Sequence, residues 1–109
     1  MSDEQTRKYI EHLVSQNRVV LFMKGNPTFP QCGFSAAVCD TLKKHGVAFH
    51  HVNVLREPAV REGIKAYSDW PTIPQLYVDG EFVGGCDIVR ELDFRSELGP
   101  MLAGKPADA

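Results

Sequence analysis

The chain has no apolar run approaching the roughly 20 residues that a helix needs to cross a bilayer, so no membrane-spanning helix is expected. It also has no excess of charge. Lys and Arg number 12 against 14 Asp and Glu, a formal net charge of -2 over 109 residues. That balance gives no general attraction to nucleic acid or to an anionic membrane surface. The segment from Met1 to Glu11 lacks the apolar stretch of a secretory signal and the Arg- and Ser-rich, acid-poor character of a transit peptide. A cytoplasmic protein is expected, or a mature form whose leader has been removed. Cysteine is scarce and odd in number, 3 in all, which argues against a secreted disulfide scaffold. What is present is an ordinary globular mixture, 43% hydrophobic and 24% charged. One compact domain over residues 1–109 is expected, with a flexible tail over about 104–109.

Tyr9, Ile10, Leu13 and Val14 fall on one face at helical spacing, and Asn17 is a plausible stop. Val19 to Met23 is a short continuous apolar run, as suits a strand buried on both faces. Lys24 to Gln31 is broken by glycine and proline and reads as a loop. A helix follows with Phe34, Ala37, Val38, Thr41 and Leu42 as its apolar stripe, ended by His45-Gly46. Val47 to Val54 reads as a second strand. Pro58 opens a third helix that runs to about Tyr67. Asp79-Gly80 between two strand-like runs, Gln75 to Val78 and Glu81 to Gly84, is the strongest local signal, a two-residue hairpin. A final helix carries Ile88, Val89, Leu92 and Phe94, and Leu98, Met101 and Leu102 extend it or add a helical turn. The order α-β-α-β-α-β-β-α predicts an α/β fold, a mixed four-stranded sheet with helices on both faces.

Cys32 stands after a strand and a loop, at the first turn of a helix. The unpaired N–H groups and positive dipole end there favour a thiolate, which is both a nucleophile and a metal ligand. The alternative is a small inert cysteine. In Cys32-Gly33-Phe34-Ser35 the position that a dithiol redox helix gives to a second cysteine holds Ser35, which cannot resolve a mixed disulfide. Cys39 lies two turns on, on the order of 10 Å along the axis, and reads as a small apolar packer. Cys86 follows a double glycine; against a second nucleophile or a resolving thiol, packing or backbone binding is the better reading. Asp87 reads as a natural N-cap whose carboxylate could also accept a ligand's ammonium group. Lys24, at the end of the first strand, favours a thiolate or pairs with a ligand carboxylate. For Arg56 and Arg61, surface ion pairs are the better reading. Trp70-Pro71-Thr72-Ile73-Pro74 precedes the hairpin, and a cis bond there would leave backbone groups free for a ligand strand. The four histidines show no ligand spacing that converges on a cysteine, and no zinc site is assigned.

Taken together, Met23-Lys24-Gly25, Cys32-Gly33-Phe34-Ser35, Trp70-Pro71-Thr72-Ile73-Pro74-Gln75-Leu76 and Gly84-Gly85-Cys86-Asp87 resemble a monothiol glutaredoxin of the CGFS type, in order and spacing along essentially the whole chain. The resemblance implies the thioredoxin fold with an extra N-terminal helix. It implies one [2Fe–2S] cluster held by two subunits and two glutathione molecules, with Cys32 ligating iron beside the glutathione thiol. It implies that Lys24 and Arg61 hold the glycyl carboxylate of glutathione and that Ile73, before a cis Pro74, pairs its backbone with the cysteinyl part. Cys86 and Asp87 would meet the γ-glutamyl end. The family often carries a bulkier aromatic at position 73, and the implied contact there is through backbone. The implied activity is cluster delivery to apo-proteins, with a homodimer when loaded and heterodimers with BolA-like proteins. The rival is a glutathione-dependent oxidoreductase acting on protein mixed disulfides, with Cys32 as nucleophile. A thioredoxin-fold adaptor without chemistry is the third reading.

Overall fold

A computed structural model of the chain describes residues 2–104; the expected tail from 105 onward lies outside them. Helix α1 (Asp3–Gln16) is nucleated by a capping box. The Gln5 N–H donates to Ser2 Oγ at 3.2 Å, and the Ser2 N–H donates to Gln5 Oε1 at 2.9 Å. Strand β1 (Val19–Met23) follows, then α2 (Gly33–Lys44), β2 (His50–Asn53) and α3 (Pro58–Ser68). The hairpin strands are β3 (Gln75–Val78) and β4 (Glu81–Gly84); α4 (Cys86–Phe94) and a separate short α5 (Leu98–Ala103) close the chain. The hairpin turn takes positive φ at both residues, 53° at Asp79 and 83° at Gly80, as a tight two-residue turn requires. Ser96, also at positive φ, breaks α4 from α5, so the last apolar residues form a helix of their own.

The sheet order is β2-β1-β3-β4, parallel between β1 and β2 and antiparallel elsewhere. This is the mixed four-stranded sheet that the element order predicts. Every residue of β1 is buried because the strand is central and covered on both faces. Val19, Leu21 and Met23 join the residues of α2, α4 and α5 in one core. Val20 and Phe22 join those of α1 and α3 in the other. Strand β2 is shorter than the eight residues read from the sequence. It lies at the sheet edge, and its register with β1 runs only from Val20↔His50 to Met23↔Asn53.

Four apolar positions depart from the expected stripes. Tyr9 is exposed at the edge of α1, where its hydroxyl donates to Glu57 Oε1 at 3.4 Å. On α2 the buried face is Ser35, Val38, Cys39 and Leu42, one position round from the stripe expected, and Phe34 is 62% exposed. The cause is Ser35, whose hydroxyl accepts a backbone hydrogen bond and so occupies the interior. On α4 the contacts with the core run through Cys86, Val89 and the half-buried Leu92, leaving Ile88 and the 87%-exposed Phe94 outside. Among the described residues, no helix is long and apolar enough to cross a membrane.

Candidate functional site

The C-terminal end of β1, the N-terminal ends of α2 and α4, one face of α3 and the segment Trp70 to Pro74 enclose a cleft of about 630 Å³. The segment is held in place from below. Buried Gln75 donates through Nε2 to the carbonyls of Trp70 and Thr72, both at 3.1 Å. The Ile73–Pro74 bond is cis, and among the described residues Ile73 joins no backbone hydrogen bond outside the helices and strands. The start of α4 approaches this segment closely because Gly85 has no side chain. A Cβ there would meet the Pro74 carbonyl oxygen at 3.2 Å and Trp70 Nε1 at 3.6 Å.

Cys32 is the N-cap of α2, half-buried, with extended backbone. Its side chain closes no capping hydrogen bond. Even so, the backbone amide of Ser35 holds its thiol below the ordinary cysteine range; partial burial opposes this, and the Phe34 amide, the Lys24 charge and the Ser35 hydroxyl reinforce it. Cys39 behaves in the opposite way. It is fully buried, its sulfur lies 3.4 Å from Met23 Sδ, and burial pushes its thiol up. This is the packing residue expected. Cys86 is also buried, yet it lines the cleft.

All six residues singled out in the sequence, Lys24, Cys32, Arg61, Ile73, Cys86 and Asp87, line this one cleft. Two expectations about them are corrected. Asp87 is not the N-cap of α4. Gly85 is, with its carbonyl accepting the Val89 N–H at 3.0 Å, and Asp87 sits exposed in the first helical turn. The double glycine allows the chain to enter the helix two residues earlier than a carboxylate cap would. Arg61 is not in a surface ion pair: among the described residues it forms no salt bridge, and its Nε is buried without a hydrogen-bond partner. Such an orphaned donor is uncommon in a folded interior and marks a place where an acceptor is wanted.

The cleft also includes Phe34, Lys65 and Ile88, which the sequence reading left out. Lys65 carried a usable signal, since it lies one turn beyond Arg61 on the same helix face. Phe34 and Ile88 carried none, because apolar residues at helical spacing are indistinguishable from core. Outside the cleft, His45 Nε2 lies 2.6 Å from Asp93 Oδ1 at the far end of α2.

The glutaredoxin family profile matches residues 19–83, which span β1 through the hairpin and include Cys32, Arg61 and Ile73. The chain belongs to the glutaredoxin family. Within it, similarity runs to the monothiol members. The chain is 51% identical over 102 residues to the probable monothiol glutaredoxin 2 of Rickettsia typhi, covering 94% of this chain and 92% of that one. It is 50% identical over 101 residues to the mitochondrial monothiol glutaredoxin-5 of Saccharomyces cerevisiae, covering 90% and 67%. The solution structure of reduced poplar apo GrxS14 superposes with a TM-score of 0.78 at 47% identity over 89% of each chain. The thioredoxin-like glutaredoxin fold with its N-terminal helix is thus shared, and family membership implies the use of glutathione.

Proposed function

We propose that the chain carries a [2Fe–2S] cluster as cargo, held with glutathione between two copies of itself, and passes it to apo-proteins. Cys32 supplies one thiolate to iron and the glutathione thiol supplies the next. A [2Fe–2S] cluster takes four such ligands. One cysteine and one glutathione per copy give two, so a second copy completes the set. Among the described residues no three His, Cys, Asp or Glu side chains are grouped to hold a metal, so a cluster at Cys32 needs ligands from outside the chain.

The observation that carries this reading is the shared cleft. Cys32, with its thiolate-favouring sulfur, and Arg61, whose Nε is buried without a partner, line the same volume, and the position three residues after the sulfur holds Ser35 rather than a thiol. Lys24 and Arg61 hold the glycyl carboxylate of glutathione, since charge-assisted bonds to a carboxylate are the strong ones. The Ile73 backbone pairs with the cysteinyl part. The Cys86 backbone and the Asp87 carboxylate receive the γ-glutamyl end, the latter through the ammonium group. Half the ligand set is diffusible, so the cargo leaves more readily than from four protein thiolates. A BolA-like protein is the proposed alternative partner to the second copy, and the cytosol is the proposed compartment, to be checked by fractionation.

The test is anaerobic reconstitution with iron and sulfide, with and without glutathione, followed by absorption spectra and gel filtration. Visible bands and a dimer peak that both require glutathione are expected. Rapid turnover of a glutathione mixed disulfide by a chain that takes up no cluster would make it an oxidoreductase instead.

A further inference from the structure

The β1–β2 ladder ends at the pair Met23↔Asn53. Lys24 is therefore the first residue beyond the strand, where its backbone has lost its ladder partner. Its place is nonetheless fixed by four hydrogen bonds. The Lys24 N–H donates to Ser35 Oγ at 3.1 Å. The Lys24 carbonyl accepts the Gln31 N–H at 2.9 Å. The next amide, Gly25 N–H, donates to Asn53 Oδ1 at 3.0 Å, and that oxygen is itself held by the Leu55 N–H at 3.0 Å. Gly25 has φ +90°, and a Cβ there would lie 2.6 Å from the Gln31 nitrogen, so the turn admits no other residue without a shift.

We propose that Ser35 and Asn53 are positioning residues for the ligand carboxylate, locking the Lys24–Gly25 backbone so that the Lys24 ammonium is presented to the cleft it shares with Arg61. The inference rests on the glutathione reading above and adds to it two residues that do not touch the ligand. A lysine is a point charge on a flexible four-carbon stem. Fixing the root of that stem reduces the ordering that binding must impose. Ser35 is fully buried, and its hydroxyl is a good acceptor where a thiol would be a weak one. The serine at the end of the Cys32-Gly33-Phe34-Ser35 motif thus does more than leave out a thiol. It ties the helix that carries the sulfur to the strand that carries the cation.

The test is a double-mutant cycle on the apo chain, with reduced glutathione titrated anaerobically and Kd read by NMR. Ser35→Ala is expected to weaken binding about fivefold in the parent chain. In a Lys24→Gln background the same change is expected to cost almost nothing, because the side chain being positioned is gone. Asn53→Ala is run through the same cycle and decides the question if Ser35→Ala does not fold. Equal losses in both backgrounds mean a general structural effect and overturn the inference alone. A parent chain that binds no glutathione overturns the functional reading, and this inference falls with it.

Discussion

Strand β1 carries one cation just before it and one just after it, Arg18 and Lys24, roughly 20 Å apart at the rise of an extended chain. The fold treats them in opposite ways. Arg18 Nε donates to Asp79 Oδ1 at 2.9 Å, Nη2 donates to Asp79 Oδ2 at 3.3 Å, and Nη1 donates to the Leu102 carbonyl at 3.1 Å. One guanidinium thereby ties the hairpin turn to the end of α5. The backbone reinforces the tie, with the Asp79 N–H donating to the Arg18 carbonyl at 2.7 Å. At the other end, neither Lys24 nor Arg61 forms a salt bridge among the described residues. The fold neutralises the cation that holds structure together and leaves Lys24 and Arg61, at the cleft, without an ion pair, while Lys65 beside them pairs with Glu62. An unpaired cation at an open cleft adds little stability, and it is what an anionic ligand requires.

The most severe way to break this contrast is to remove the sulfur. Cys32→Ser is expected to abolish cluster binding, read as loss of the visible bands after reconstitution. Stability should stay within about 0.5 kcal/mol, because the side chain holds nothing in place. A cluster-loaded Cys32→Ser dimer would refute the ligand assignment. Next, Lys24→Gln is expected to weaken glutathione binding about tenfold with unchanged thermal unfolding, whereas Arg18→Gln should leave the glutathione Kd alone. The reciprocal effect is on stability. Arg18→Gln should lower it by about 1 kcal/mol, discounted for the half-exposed ion pair, and Tm by about 5 °C. A glutathione defect in Arg18→Gln would erase the distinction between the two ends. The smallest effect concerns pH. The Cys32 thiol is held low chiefly by the Ser35 amide, so its alkylation rate should reach half-maximum below the roughly 8.5 of a free cysteine. Lys24→Gln should move that midpoint up slightly and Arg18→Gln not at all. The sign for stability follows. A depressed thiol contributes stability fully present above the unfolded value, and that contribution fades as pH falls through the folded one. Cys39, buried and pushed up, should not react while the chain is folded.

Much of this was readable beforehand where the code is local. Asp79-Gly80 specifies its turn through backbone preference, and the hairpin falls where expected. The run from Val19 to Met23 declared a strand covered on both faces, because only such a strand can be apolar at every position. Cys32 was placed at a helix start by the Gly- and Pro-rich segment before it. The misreadings arose where two adjacent residues compete for the buried face of a helix. Phe34 and Ser35 are adjacent, and hydropathy assigns the interior to phenylalanine. The structure puts serine there, since its hydroxyl accepts the Lys24 amide, and leaves the ring at the cleft. Arg61 differs for a similar reason: whether a helical arginine meets a carboxylate or faces a cleft depends on what lies across from it.

The amino-acid order alone determined the succession of elements, the mixed sheet, and a sulfur at a helix N-terminus with no second thiol one turn later. These follow from backbone propensities and periodicity, which act over a few neighbouring residues. Only the packed chain decided that a cation beyond a strand, an arginine from a later helix, a proline-rich segment and a glycine-led helix start meet that sulfur around a single cleft. It also decided which of the charges there remain unpaired. Those outcomes depend on contacts between residues far apart in the chain, and the energy of such a contact is set by partners that no local window contains.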